Sequence, residues 1–202
     1  MIRKLLPALA LLVAVPAFAD NSAVDVVRQT TDKLFNLIQE HRADYEQHPA
    51  NLEDVVRDIL LPKLDENYSG RLVLGRHARE LSTSEVRQFA NALSDMLIKR
   101  YAEQLLEFKS REQMQILPLA GDASDRMTRV KTKVQLQSGQ SVPVDYIMHR
   151  TDQGWQVFDV VVEGVSYVVT FRTQFNEELN HHSFENVLQR IKSGDIEVAD
   201  SD

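Results

Sequence analysis

The chain has 202 residues, 43% of them hydrophobic and 26% charged, with seven glycines, six prolines and no cysteine. That make-up supports one substantial core and excludes a disordered, collagen-like or disulfide-stapled protein. A formal charge of −7 at pH 7 argues against a nucleic-acid partner, which needs a basic surface.

Residues 1–19 stand apart. Arg3 and Lys4 precede an apolar run from Leu5 to Val15, then Pro16 and the small-residue pattern Ala17-Phe18-Ala19, the layout of a secretory signal cut before Asp20. The run is too short for a bilayer, which takes about 20 residues. With no Cys at the cut there is no lipoprotein anchor, so a mature chain of residues 20–202 is expected free in solution. Losing the two signal cations leaves 21 Lys and Arg against 30 acids, a net charge near −9.

In chain order, Val24, Val27, Leu34 and Ile38, with Thr31 between them, mark one face of a helix to about Ala43, which His48-Pro49 breaks. Leu52, Val55, Val56, Ile59 and Leu60 form a second amphipathic piece ending at Pro62. Residues Leu64 to Glu80 read as short helical turns. Ser82-x-x-Glu85 is a capping box that opens the longest periodic run, Val86, Phe89, Leu93, Leu97, Tyr101, Leu105 and Phe108. A single helix from Thr83 to Lys109 would be roughly 40 Å long.

The period then drops from 3.6 to 2. Val130, Thr132, Val134 and Leu136 alternate with Arg129, Lys131, Lys133 and Gln135. Val142, Val144, Tyr146 and Met148 follow a turn at Ser138-Gly139-Gln140, and Trp155 to Val162 follows another at Asp152-Gln153-Gly154. With Gln113 to Leu119 in front, this predicts a four-stranded antiparallel meander with one buried face. Helix returns with Val168, Phe171, Phe175 and Leu179, and a last helix runs from a Ser183 cap to Gly194, before an acidic tail expected to fray from about Asp195. The expectation is one α+β domain: a curved four-stranded antiparallel sheet with helices packed on one face.

Reactive constellations are wanting. Gly70-Arg71-Leu72-Val73-Leu74-Gly75 has the glycine spacing of a phosphate loop, but Arg76-His77 follows where Lys-Ser/Thr is needed. Gly164-Val165-Ser166 lacks the second small residue of a nucleophile elbow, so Ser166 reads as a helix cap. The histidines, His41, His48, His77, His149, His181 and His182, form no ligand pair spaced for a metal on a helix. No catalytic residue, metal or cofactor is assigned. What remains unusual is apolar supply: Val157-Phe158-Asp159-Val160-Val161-Val162 is apolar on both faces but for Asp159. Either this is an ordinary core, or sheet and helices leave a greasy hollow between them; periodicity does not separate the two.

The segment Gly154-Trp155-Gln156-Val157-Phe158-Asp159-Val160-Val161-Val162-Glu163-Gly164-Val165-Ser166, continuing to Phe171-Arg172-Thr173-Gln174-Phe175, resembles the MlaC family of phospholipid-binding proteins, also called the toluene-tolerance family. Val73-Leu74-Gly75-Arg76-His77 before a capped long helix, and Ser94 to Phe108 around Tyr101-Ala102, agree. The likeness covers essentially the whole mature chain. It implies an NTF2-like α+β fold enclosing an apolar pocket, and a periplasmic, non-enzymatic carrier of glycerophospholipid that maintains outer-membrane lipid asymmetry. It also implies exchange with an inner-membrane ABC transporter complex bearing an MCE-domain subunit, and with an outer-membrane lipoprotein and porin. A monomer is expected, with the bound phospholipid as cargo.

On that reading the pocket walls are expected from the sheet at Val134, Leu136, Val144, Tyr146, Met148, Phe158, Val160 and Val162, and from helices at Leu72, Leu93, Leu97, Tyr101, Val168, Phe171 and Phe175. Arg71, Arg76 and Arg172 are candidate neighbours of a phosphate, by charge and nearness to the matched motifs. The rival readings are a small hydrolase or isomerase in the same fold, with Asp159 and His149 the residues to inspect, and a protein-binding adaptor with a filled interior. Strand alternation would put both of those residues on the face opposite Met148, Phe158 and Val160.

Overall fold

The computed structural model describes residues 22–118 and 126–196; the expected signal segment, residues 119–125 and residues 197–202 lie outside them. Helices α1 (Ala23–Gln47) and α2 (Pro49–Leu60) lead through a 3-10 turn, Leu61–Lys63, into α3 (Glu66–Leu74). A second such turn, Gly75–Arg79, leads into α4 (Thr83–Tyr101). Strands β1 (Met114–Ile116), β2 (Met127–Gln135), β3 (Ser141–Thr151), β4 (Gly154–Val162) and β5 (Val165–Ser166) form one antiparallel sheet in sequential order. Then come α5 (Tyr167–His181) and α6 (Phe184–Ser193).

The helices start where side chains accept otherwise unpaired amides. Ser82 accepts from Glu85 N at 3.2 Å and Glu85 accepts from Ser82 N at 2.7 Å, the reciprocal box that the sequence predicts. Asp65 caps α3, Ser166 caps α5 and Ser183 caps α6. Two boundaries differ from expectation. Helix α1 runs past Ala43 to Gln47 across a kink at His41 (φ −117°, ψ 17°). Helix α4 stops at Tyr101, and Ala102–Glu107 continue as 3-10 helix. That tighter winding, about three residues per turn, lets the adjacent Leu105 and Leu106 both pack against α1 and α2.

The sheet has five strands rather than four. The fifth follows the turn at Glu163 and Gly164, both with positive φ (52° and 88°), a pairing typical of tight hairpins that glycine adopts without strain. At two residues it is too short to show a period. Nor do the helices keep to one face. The N-terminal part of α1 packs on the face bearing Val130, Met148 and Val157. Tyr68 of α3 lies against His149 and Phe158 on the other, at ring separations of 4.8 and 5.2 Å. Only the far end of that second face stays wet, with Arg129, Lys131 and Lys133 exposed.

A β-bulge causes one further departure from alternation. Ile147 pairs with Asp159 but Met148 pairs with Val157, which leaves Phe158 as an extra residue on β4. Its ring therefore lies 5.1 Å from His149 instead of sharing a face with Met148 and Val160, and Val157 takes the inward place.

Three apolar clusters hold the fold. The largest joins α3, α4, α5 and α6 around Phe89 and Phe175, whose rings meet edge to face at 5.0 Å. Ile196 is 4% exposed within it, so the chain stays anchored past the expected fraying point. A second cluster joins α1, α2 and the end of α4, and a third joins the start of α1 to the sheet.

Candidate functional site

Between the second and third clusters the packing is incomplete, and a cavity of about 370 Å³ remains. Helix α1 forms its roof, with Val26, Val27, Leu34, Phe35 and Ile38 turned inward. From Val26 to Ile38 this wall is about 18 Å long at 1.5 Å per residue. The floor is the sheet, at Val134, Tyr146, Val157 and Val160; Leu60 and Leu64 close one side, and Leu105, Phe108 and Met114 the other. A cavity of ~150 Å³ lined by aliphatic side chains stays dry and accepts benzene. Scaled from those six carbons, this hollow holds about 15, the content of one acyl chain.

Polar contacts along its edges keep the roof in place. Arg111 pairs with Asp32 of α1 and donates to Met114 O at 2.7 Å. Arg42 of α1 donates to Leu106 O and Phe108 O at 2.5 and 2.6 Å. On the other side, Leu64 bridges to Val157, Asp65 N donates to Val157 O at 2.9 Å, and Gln156 Nε2 donates to Leu64 O at 3.1 Å. Roof and floor are thus tied at their margins, with apolar side chains left facing each other across a gap.

Few lining groups are polar: Thr30, Thr31, Lys63, Ser110, Arg111 and the phenol of Tyr146. Burial pushes that phenol up to about 12. Lys63 is exposed and marks where the cavity reaches the surface.

Of the residues expected to form the pocket, the structure brings together Val134, Tyr146 and Val160. Met148 lies fully buried in the adjoining sheet cluster. Val144 and Val162 pair across β3 and β4 one step beyond Tyr146 and Val160. Phe158 is turned away by the bulge, and Leu136 lies just past β2, 40% exposed. Leu93, Val168, Phe171 and Phe175 sit in the large helical cluster, and Leu72 and Leu97 pack against it. Tyr101 ends α4 beneath the Arg100 guanidinium, 5.8 Å above its ring.

The three arginines also stand elsewhere. Arg172 Nε donates to Leu72 O at 2.5 Å, Arg76 donates to Asn180 Oδ1 at 2.5 Å, and Arg71 is exposed on α3; none of them lines the cavity. Asp159 and His149 are engaged away from it. Asp159 accepts from Ser166 Oγ at 2.6 Å and Val168 N at 3.0 Å, fastening β4 to the start of α5. His149 Nε2 lies 2.9 Å from Asp65 Oδ2. Among the described residues no His, Asp or Glu cluster is arranged for a metal ion.

The sequence pattern marks one apolar face on α1 but does not single out that helix, or the stretch from Leu105 to Met114, as cavity wall. One signal was available. Val24, Val26, Val27, Leu34, Phe35, Leu37 and Ile38 span more of the helix surface than one contact stripe needs.

The comparisons with known proteins fit this architecture. The family described as MlaC protein matches residues 28–193. The chain belongs to the MlaC family. Its relatives in that family include the intermembrane phospholipid transport system binding protein MlaC of Haemophilus influenzae, 25% identical over 91% of this chain and 86% of that one. The toluene tolerance protein ttg2D of Pseudomonas putida is 26% identical over 86% of this chain and 81% of that one. The fold resembles that of a phospholipid-binding protein from Ralstonia solanacearum, solved in complex with a phospholipid. The TM-score is 0.76 at 19% identity, over 86% of this chain and 96% of that one. Among the described residues, no helix of this MlaC-family chain is long and apolar enough to cross a membrane.

Proposed function

We propose that this chain is a periplasmic carrier of glycerophospholipid, exported by its N-terminal signal, cleaved before Asp20 and working without catalysis. The observation that carries the reading is the apolar cavity beneath α1, sized for about one acyl chain. The relative named as an intermembrane phospholipid transport system binding protein supports it. Acyl carbons enter the cavity and the headgroup stays in water, with its phosphate near Lys63.

Physical chemistry explains the need. At about 0.8 kcal/mol per methylene, a chain of ~15 carbons gains up to about 12 kcal/mol by leaving water, so unassisted transfer between two membranes is slow. A carrier exchanges one dry environment for another and the net change is small. Direction then comes from partners. In this reading they are an inner-membrane ABC transporter complex with an MCE-domain subunit and an outer-membrane lipoprotein and porin, and the exchange maintains outer-membrane asymmetry. The NTF2-like kinship of the fold belongs to the same reading.

The test is native mass spectrometry of protein purified from the envelope under mild conditions. A bound mass equal to a glycerophospholipid is expected, and Leu34→Trp, which fills the cavity, should lower its occupancy at least tenfold without unfolding the chain. Protein that carries no lipid when extracted from its own envelope would refute the reading.

A further inference from the structure

Several hydroxyls outside the cavity find partners among the described residues, although the buried Thr128 hydroxyl on β2 does not. Thr132 Oγ1 donates to Val144 O at 2.6 Å, and Ser69 Oγ to Phe158 O at 2.8 Å. On α5, Thr170 and Thr173 donate to the carbonyls four residues back at 3.0 and 3.1 Å, the usual retreat of a helical threonine. Around the cavity the pattern continues at Thr31, 3.5 Å from Met114 Sδ, and at Ser110, which accepts from Glu112 N at 3.2 Å.

Two residues of the lining carry hydroxyls that are likewise without a partner. Tyr146, half-buried, lines the cavity and makes no hydrogen bond to the described residues. Its cross-strand neighbours on that face are Val130 and Val160, which offer it no acceptor. On α1, the Thr30 hydroxyl is buried without a partner among the described residues. An unmet polar group in a largely apolar wall calls for an explanation. Lys63, at the surface end, is the third lining group with no partner in the described chain.

These groups suit the polar parts of a glycerophospholipid, a cation for its anionic phosphate and donors for acyl ester carbonyls that only accept, and the apolar walls suit its hydrocarbon. Building on the carrier reading above, we infer that Tyr146 reads the acyl linkage: its phenol donates a hydrogen bond to an ester carbonyl of the bound lipid. Thr30 supplies a second donor after rotation about χ1. The cavity thereby distinguishes an ester-linked chain from an ether-linked one of the same length, because the ether has no carbonyl and leaves the donors unmet. A site built around such a donor rejects an analogue lacking the acceptor more strongly than an apolar wall rejects a change of length.

The experiment compares dipalmitoyl phosphatidylcholine with its di-O-hexadecyl analogue, identical in headgroup and chain, by competition for delipidated protein. The wild type should favour the diester about tenfold. Tyr146→Phe should bring diester affinity down to near that of the diether, and Thr30→Val should narrow the preference in part. The infrared carbonyl stretch of the bound diester should lie lower in the wild type than in Tyr146→Phe. Equal wild-type affinity for the two lipids overturns the inference while leaving the carrier reading intact; binding of neither lipid overturns both. The wild-type comparison needs no variant, so it decides the matter even if a substitution prevents folding.

Discussion

Glu66 opens α3 where three helices meet, and its surroundings pull its proton affinity in opposite directions. Burial raises its pKa and dominates. The Ser94 hydrogen bond on α4 lowers it, Asp95 raises it and Arg57 of α2 lowers it. Because the folded value lies above the unfolded one, the ionised carboxylate detracts from stability at neutral pH. That penalty fades as pH falls through the folded pKa and is gone below the unfolded value. Glu66→Gln keeps the hydrogen-bonding shape and removes the charge. Its melting temperature should equal or exceed that of the wild type at pH 7, with the difference shrinking on acidification; a lower value at pH 7 would mean that the Arg57 attraction outweighs burial. Lys63 presents the opposite situation, an exposed cation at the cavity's surface end. Lys63→Ala should weaken phospholipid binding by no more than about fivefold and reduce its salt dependence, because exposed charge pairs contribute little.

Among the elements, α3 governs how the cavity's edge is held. Asp65 serves two partners, accepting Tyr68 N at 3.0 Å as the cap and lying 2.9 Å from His149. The residues before it, Lys63 and Leu64, line the cavity. Asp65→Ala should cost about 1 kcal/mol through the cap alone and should speed lipid release as that edge loosens. Behind α3, Gly70 lies against α4 so closely that a Cβ there would stand 2.8 Å from the Ala90 Cβ. Gly70→Ala must push the two helices apart at about 1–3 kcal/mol, readable as a lowered denaturation midpoint. The capping box at Ser82 and Glu85 and the alternation of β2 were legible in the sequence, since both are local patterns. The bulge at Phe158 was not, because an extra residue in one strand shows only against the register of its partner.

For the whole molecule, the filled and unfilled regions divide the work. The cluster around Phe89 and Phe175 supplies a rigid body, while α1 spans the hollow and is tied at its margins by Arg42 and Arg111. Lipid binding should therefore stabilise the protein as any ligand of the native state does, by about 2.7 kcal/mol at a hundredfold excess over Kd. At about 2–4 °C per kcal/mol for a chain of this size, delipidation should lower the melting temperature by roughly 5–10 °C. Calorimetry of matched loaded and stripped samples checks this, and identical transitions would count against a ligand-completed interior.

By itself the sequence determined the α+β class, the helix starts at Ser82, Ser166 and Ser183, the inward Val130, Thr132 and Val134 of β2, and the family, because caps, periods and motifs are written in neighbouring residues. Only the tertiary structure decided that the hollow lies under α1 rather than among Leu93, Phe171 and Phe175, and that Val157 rather than Phe158 faces it. A cavity is a distance between elements. Each apolar face looks the same in the sequence whether its neighbour closes on it or is held off by ties at the margins.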